Sequence, residues 1–163
     1  KPGFIDALAD RIVTAAGKLG ANLKSREVGL LLAAHAVPLP IVRTSQYTQQ
    51  IAETAKLVAA RLEAANWAVG YQSAPSDSKI EWTTPFIEHA MDKLHEAGAG
   101  QIVAAPIGFL CDNVEVLYDL GVEGAAHAGK LGVKFAAAEA VNTHPAFIGM
   151  LADQVQAALA KQA

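Results

Sequence analysis

The chain has 163 residues, of which 52% are apolar and 18% charged, with a formal net charge of −3. That length and apolar share suit one α/β domain with a sizeable core. No cluster of Lys and Arg supplies a field for phosphate backbones, so nucleic acid is not an expected partner. A single cysteine, Cys111, excludes an internal disulfide or a multi-cysteine metal site and favours a reducing compartment.

The N-terminus, Lys1-Pro2-Gly3-Phe4-Ile5-Asp6, carries an acid early, lacks a continuous apolar run and starts without methionine. It does not resemble a signal peptide. It reads as a cut end, with preceding residues expected to be missing. Phe4, Ile5, Leu8, Ile12, Ala15 and Leu19 then repeat at helical spacing and Gly20 supplies a stop, which predicts an amphipathic first helix. The unbroken apolar run Val28 to Ala34, ending in His35 before a proline-rich turn, predicts a strand buried on both faces, as parallel strands are. The longest apolar stretch, Val28 to Val42, is interrupted by His35 and two prolines and cannot span a bilayer.

Strand and helix then alternate without hairpin signals. A helix is expected over residues 46 to 65 (Ile51, Ala55, Val58, Leu62), a short strand at Trp67 to Gln72, a helix over 84 to 97 and a strand at Gln101 to Ala105. A helix follows from about Asp112 to Gly121 or a little beyond, then a weaker strand at Val133 to Ala136. A last helix runs from Pro145 to about Lys161, with Pro145 at its first position and Thr143 or His144 at the cap. The pattern predicts a doubly wound, mostly parallel four-stranded sheet flanked by helices, in which ligands bind beyond the carboxyl ends of the strands.

One internal echo stands out. Pro2-Gly3-Phe4-Ile5-Asp6-Ala7-Leu8-Ala9-Asp10 matches Pro145-Ala146-Phe147-Ile148-Gly149-Met150-Leu151-Ala152-Asp153 at Pro, Phe, Ile, Leu, Ala and Asp. Two amphipathic helices can share such a pattern by chance. Alternatively each closes one half of a duplicated protein, of which the first half is absent.

Two strand ends carry groups with chemistry. His35 follows directly on the first strand, where a neutral imidazole can accept a proton or bind a divalent cation near pH 7. The loop after it offers prolines and apolar residues in place of the Gly-, Ser- or Thr-rich amides that cradle phosphates, which argues against nucleotide binding. Beyond the third strand, Glu115, Asp119 and Glu123 stand four residues apart, one stripe on an α-helix with about 6 Å between turns. The stripe is either a solvated face or a carboxylate column that passes a divalent cation or protons. The helix dipole accounts for acids at Asp112 and Glu115, not for Glu123. At a third strand end, Tyr71, Gln72 and Ser73 with Trp82 add polar groups and an aromatic. His89 and His95 are expected in solvent, His127 and His144 are ambiguous, and Cys111 is either a buried thiol or a soft group near a metal.

Together these segments resemble ferrochelatases, over nearly the whole chain and specifically their C-terminal half. Ala34-His35-Ala36-Val37-Pro38 is similar to the family's S-A-H-x-x-P, Tyr71-Gln72-Ser73 with Trp82-Thr83-Thr84-Pro85 to Y-Q-S and W-L-x-P. Pro106 to Glu115 is similar to P-x-G-F-x-x-D-H-x-E, and Asn142 to Phe147 to N-x-x-P-x-F. The resemblance implies insertion of ferrous iron into protoporphyrin IX or coproporphyrin III in haem biosynthesis, with iron as substrate and no organic cofactor. It implies His35 and Glu115 as the catalytic pair and metal site, Asp119 and Glu123 as the acidic path behind them, and Pro38, Tyr71, Gln72, Ser73 and Trp82 against the porphyrin.

Three positions depart from the family pattern: Thr44-Ser45-Gln46-Tyr47 stands for G-D-P-Y, Ala34 for Ser and Asn113 for His. Residues 1–20 would be the last helix of a missing N-terminal half and 21–163 the C-terminal α/β domain. The missing half, or a homodimer partner, would supply the other wall of the cleft, and the chain alone would turn over little. The alternatives are a sirohydrochlorin cobalt chelatase working as a homodimer and a non-catalytic porphyrin- or haem-binding domain. A cytoplasmic location is expected, with peripheral membrane contact left open.

Overall fold

The computed structural model describes residues 1–161. Helix α1 (Pro2–Leu19) begins with proline at its first turn and ends on Gly20, which takes the left-handed conformation at φ 61° and donates its amide back to the last turn. Strand β1 (Val28–His35) follows, buried along its length up to His35. The remaining elements are α2 (Leu39–Thr44), α3 (Tyr47–Leu62), β2 (Trp67–Gln72), α4 (Ile87–Glu96), β3 (Gln101–Pro106), α5 (Val114–Tyr118), a π-helical turn (Asp119–Gly124), α6 (Ala125–Leu131), β4 (Lys134–Ala137) and α7 (Pro145–Ala160).

The four strands form one parallel sheet in the order β2-β1-β3-β4. Side chains alternate across β1: Leu30, Leu32 and Ala34 join α1 and α3 in one core, while Leu31 and Ala33 join α4, α5 and α6 in the other. The doubly wound fold expected from the alternation is the one present. No helix among the described residues is long and apolar enough to cross a membrane.

The strand order sets the site. From β1 the chain leaves toward α3 on one face, and from the adjacent β3 it leaves toward α5 on the other. The loops after β1 and β3 therefore part at the point where the winding reverses, and a crevice opens beyond the carboxyl ends. His35 ends β1 on one side of it; the Pro106 to Glu115 segment forms the other.

Three details differ from the sequence reading. The proline-rich stretch after His35 includes a short helix, α2, because Leu39 and Pro40 occupy a first turn that needs no amide donors. Helix α4 starts at Ile87, after Pro85 and the extended Phe86. The single helix expected from Asp112 to about Gly121 is instead an α-turn, a π-turn and α6, starting at Val114.

Candidate active site

His35 is placed by its backbone. Its carbonyl accepts from the Tyr47 hydroxyl at 2.8 Å, and the next amide, Ala36, donates to the Gln72 carbonyl at 2.8 Å. The imidazole Nδ1 lies 2.5 Å from the Ala36 carbonyl. A carbonyl only accepts, so Nδ1 carries a proton, and in the neutral imidazole the lone pair then lies on Nε2. That Nε2 faces Glu115 Oε1 at 3.5 Å, with both side chains in contact with solvent. Phe109 flanks the ring, its centroid 6.2 Å away.

Glu115 stands in the first turn of α5, whose cap is Asn113: the amide side-chain oxygen accepts from the Val116 N–H at 2.9 Å. Asp112, one position before that cap, is engaged with the loop before α7. Its backbone N–H donates to Asn142 Oδ1 at 2.9 Å; its carboxylate accepts from Asn142 Nδ2 at 2.7 Å and from the Ala140 amide at 2.9 Å. Two of the motifs quoted above thus fasten to each other and tie the loop before α5 to the loop before α7.

After Tyr118 the helix widens into the π-turn. A four-residue step overshoots a full turn of an α-helix, and in the wider π-turn the same step falls short. Along Glu115, Asp119 and Glu123 the two backbone offsets are therefore of opposite sign. Asp119 is held at Oδ2 by the Ser73 hydroxyl and by Gln72 Nε2 at 3.2 Å. Ser73 adopts φ 64°, a left-handed conformation that a non-glycine residue keeps only where its surroundings require it. Gln72 is buried, and its Oε1 has no hydrogen-bond partner among the described residues.

Tyr71, Gln72, Ser73, Phe86, Asp119 and Glu123 line a cavity of about 370 Å³. Glu123 is exposed at its mouth. Pro38 bridges to Trp82 at the other end of the edge, and the indole N–H donates to Ser78 Oγ at 2.8 Å. Among the described residues no three His, Cys, Asp or Glu side chains converge on a point. Asp119 and Glu123 share that cavity, while Glu115 is paired with His35. Val114, Tyr118 and Val122, exposed by more than half, stand one position before each acid.

The other candidates fall outside the site. His89 and His95 are exposed, His127 pairs with Asp92 at 2.7 Å, and His144 caps α7 through Nδ1 while its Nε2 lies 3.4 Å from Asp10. Cys111 is exposed, which removes the buried-thiol reading; it lies in the turn beyond Gly108, clear of either core. Tyr47 is the residue that sequence reasoning passed over. Its signal was the tyrosine that persists at the end of the altered Thr44-Ser45-Gln46-Tyr47 segment. Burial pushes the Tyr47 phenol above its ordinary pKa, and the neighbouring Tyr71, itself raised by burial, adds to the rise.

A family model described as Ferrochelatase matches residues 1–159. The chain belongs to the ferrochelatase family. It is 36% identical over 161 residues to a ferrochelatase of Rhodopirellula baltica, covering 98% of this chain and 45% of that one. It is 35% identical over 159 residues to a ferrochelatase of Deinococcus radiodurans, covering 96% and 50%. It is 33% identical over 157 residues to a coproporphyrin III ferrochelatase of Geobacillus sp. (strain WCH70), covering 95% and 50%. The chain spans about half the length of the curated relatives it matches. Among solved structures, a putative cobalamin (vitamin B12) biosynthesis CbiX protein from Marinobacter aquaeolei VT8 superposes with a TM-score of 0.61 at 16% identity, covering 82% of this chain and 98% of that one. That likeness is one of fold.

Proposed function

We propose that this chain carries the catalytic edge of a ferrochelatase that inserts ferrous iron into a porphyrin, protoporphyrin IX or coproporphyrin III. The observation that carries the reading is the meeting of two acceptors. With Nδ1 protonated toward Ala36, the Nε2 lone pair and the Glu115 carboxylate face each other across 3.5 Å, and what such atoms can share is a proton or a cation.

Metal insertion needs both. Two pyrrole N–H protons must leave the macrocycle, and a hydrated ferrous ion must exchange water for ring nitrogens. His35 Nε2 accepts a proton, and the adjacent carboxylate stabilises the imidazolium that results. Asp119, held by Ser73 and Gln72, and then Glu123 continue the acidic column toward solvent. The exposed apolar side chains Val114, Leu117, Tyr118 and Val122 beside the acids suit the flat apolar face of a porphyrin better than they suit water. Pro38, Tyr71 and Trp82 lie along the same edge.

The test uses the polypeptide as its gene encodes it, supplied with ferrous iron and each porphyrin under anaerobic conditions. Metalloporphyrin absorbance should appear. His35→Ala and Glu115→Gln should each lower the rate by about 10²–10⁴-fold, the span of a lost general base. Tight porphyrin binding with no insertion by the unmodified protein would refute the catalytic reading.

A further inference from the structure

His144 holds two contacts that only its neutral form can serve together. It is the N-cap of α7, where the Ala146 N–H donates to Nδ1 at 3.3 Å. An amide N–H only donates, so Nδ1 presents a lone pair, and in the neutral ring the proton then lies on Nε2. That nitrogen faces Asp10 Oδ2 on α1 at 3.4 Å. The neutral ring thus joins the first and last helices, accepting from one and donating to the other. Pro145 has no amide, and the N–H groups of Phe147 and Ile148 donate to the His144 carbonyl, which leaves Ala146 dependent on the ring. The common N-caps Ser, Thr and Asn keep their acceptor oxygen at every physiological pH. A histidine loses its acceptor when it takes a second proton, within the range of about pH 5–8 where histidines change charge.

That second proton goes to Nδ1, the nitrogen turned toward the Ala146 N–H. Two donors then oppose each other, and the ring's positive charge stands at the positive end of the α7 dipole. Asp10 offers the charged ring a partner on its other side. The further charged groups on the elements around the ring are engaged elsewhere. Arg11 on α1 pairs with Glu139 in the loop from β4 at 2.8 Å, and the Asp112 carboxylate before α5 accepts from Asn142 and from the Ala140 amide. On α7 itself the first charged residue is Asp153.

The loop that presents His144 also fastens the active-site loop. Two positions earlier, Asn142 adopts φ 47°, a left-handed conformation that asparagine tolerates. Its backbone N–H donates to the Leu110 carbonyl at 3.0 Å, and its side chain exchanges hydrogen bonds with Asp112. Asp112 precedes the Asn113 cap, and Glu115 follows in the first turn of α5. We propose that His144 is an acid-sensitive latch between α1 and α7. Neutral, it caps α7 and fixes the end of the loop from β4; protonated, it turns to Asp10, uncaps α7 and loosens that loop as far as Asn142.

NMR hydrogen exchange tests this on the polypeptide as its gene encodes it, beside His144→Asn, between about pH 7.5 and 5.5. The asparagine keeps a cap acceptor that does not titrate, so the variant separates His144 from the other histidines. In the unmodified protein, exchange at the Ala146 and Asn142 amides, corrected for its intrinsic pH dependence, should rise by about 2–30-fold on acidification, the span of a lost N-cap. In His144→Asn it should stay level. Ring nitrogen spectra at the upper pH should show the proton of His144 on Nε2. Equal responses in the two proteins, or a proton on Nδ1 at the upper pH, would overturn the proposal. A rise at Ala146 with none at Asn142 would overturn the reach of the latch to the active-site loop. None of these readouts depends on iron insertion.

Discussion

Gly108→Ala tests whether the crevice is built as described. An ideal Cβ at Gly108 would stand 2.9 Å from Ala34 Cβ and 3.0 Å from Ala34 Cα, against the ~3.5–4.0 Å of an ordinary carbon–carbon contact. The loop or the strand must therefore yield by roughly 0.5–1 Å. The strand cannot: β1 is central, paired with β2 and β3 on its two sides, and Ala34 is fully buried. The displacement falls on the loop, which also donates the Gly108 amide to the Ala33 carbonyl at 3.2 Å. Overpacking against a rigid wall costs about 1–3 kcal/mol. For a unit of this size, that lowers Tm by about 2–12 °C.

The loop carries Phe109 and leads to the Asn113 cap, so the same movement separates Glu115 from His35. A displacement near 1 Å at a reacting pair lowers the rate by about 10²-fold. Thermal unfolding by circular dichroism and the iron-insertion assay read the two effects. Gly17→Ala, where a Cβ meets nothing within 4 Å in the last turn of α1, is the control and should stabilise by about 0.4–1 kcal/mol. If Gly108→Ala were as stable and as active as the unmodified protein, the close seating of the Pro106 loop on β1 would be wrong.

Ser73→Ala removes one of two donors to Asp119 while leaving His35 and Glu115 in place; stability should fall by about 1–2 kcal/mol, and insertion should slow with porphyrin affinity little changed. A fall in affinity alone would assign Ser73 to substrate binding. Asp112→Ala removes the two hydrogen bonds that the carboxylate accepts between the two loops and should cost about 1–3 kcal/mol, measured by chemical unfolding, with hydrogen exchange rising at Ala140. Tyr47 and Tyr71 stay neutral in the folded chain above the pH near 10 at which free phenols ionise, so above that pH the folded state binds more protons. Their contribution is present in full below ~10 and is lost as pH rises through the folded values, so Tm should decline there. Tyr47→Phe should flatten that decline, at about 0.5–1.5 kcal/mol for the bond to the His35 carbonyl.

What could be read from the residues alone follows from how strongly each feature is expressed along the chain. The run Val28 to Ala34 is apolar on both faces because both faces of β1 are covered, so strand, burial and parallel pairing were legible together. The same logic located His35, since a polar residue ending such a run stands at the edge of the sheet. The π-turn was not legible. It amounts to one extra residue in a helical ring, and no side chain in Asp119–Gly124 announces it. Asp112 and Asn142 are thirty positions apart, and their mutual hydrogen bonds are a property of loop placement that local pattern cannot carry. Tyr47 supports His35 through a backbone carbonyl, a contact in which the histidine's own side chain takes no part.

The orientation of the end helices bears on the site. Gly20 and Asn22, after α1, line one groove with Glu27 and Val28, where β1 begins, so α1 runs from the carboxyl edge of the sheet to its amino edge. Helix α7 runs the other way, from Asp10 past Lys1, with Lys1 and Pro2 facing Asp153 and Ala157 across a shallow groove. The exposed end of α7 therefore rises toward the edge where His35 and Glu115 stand.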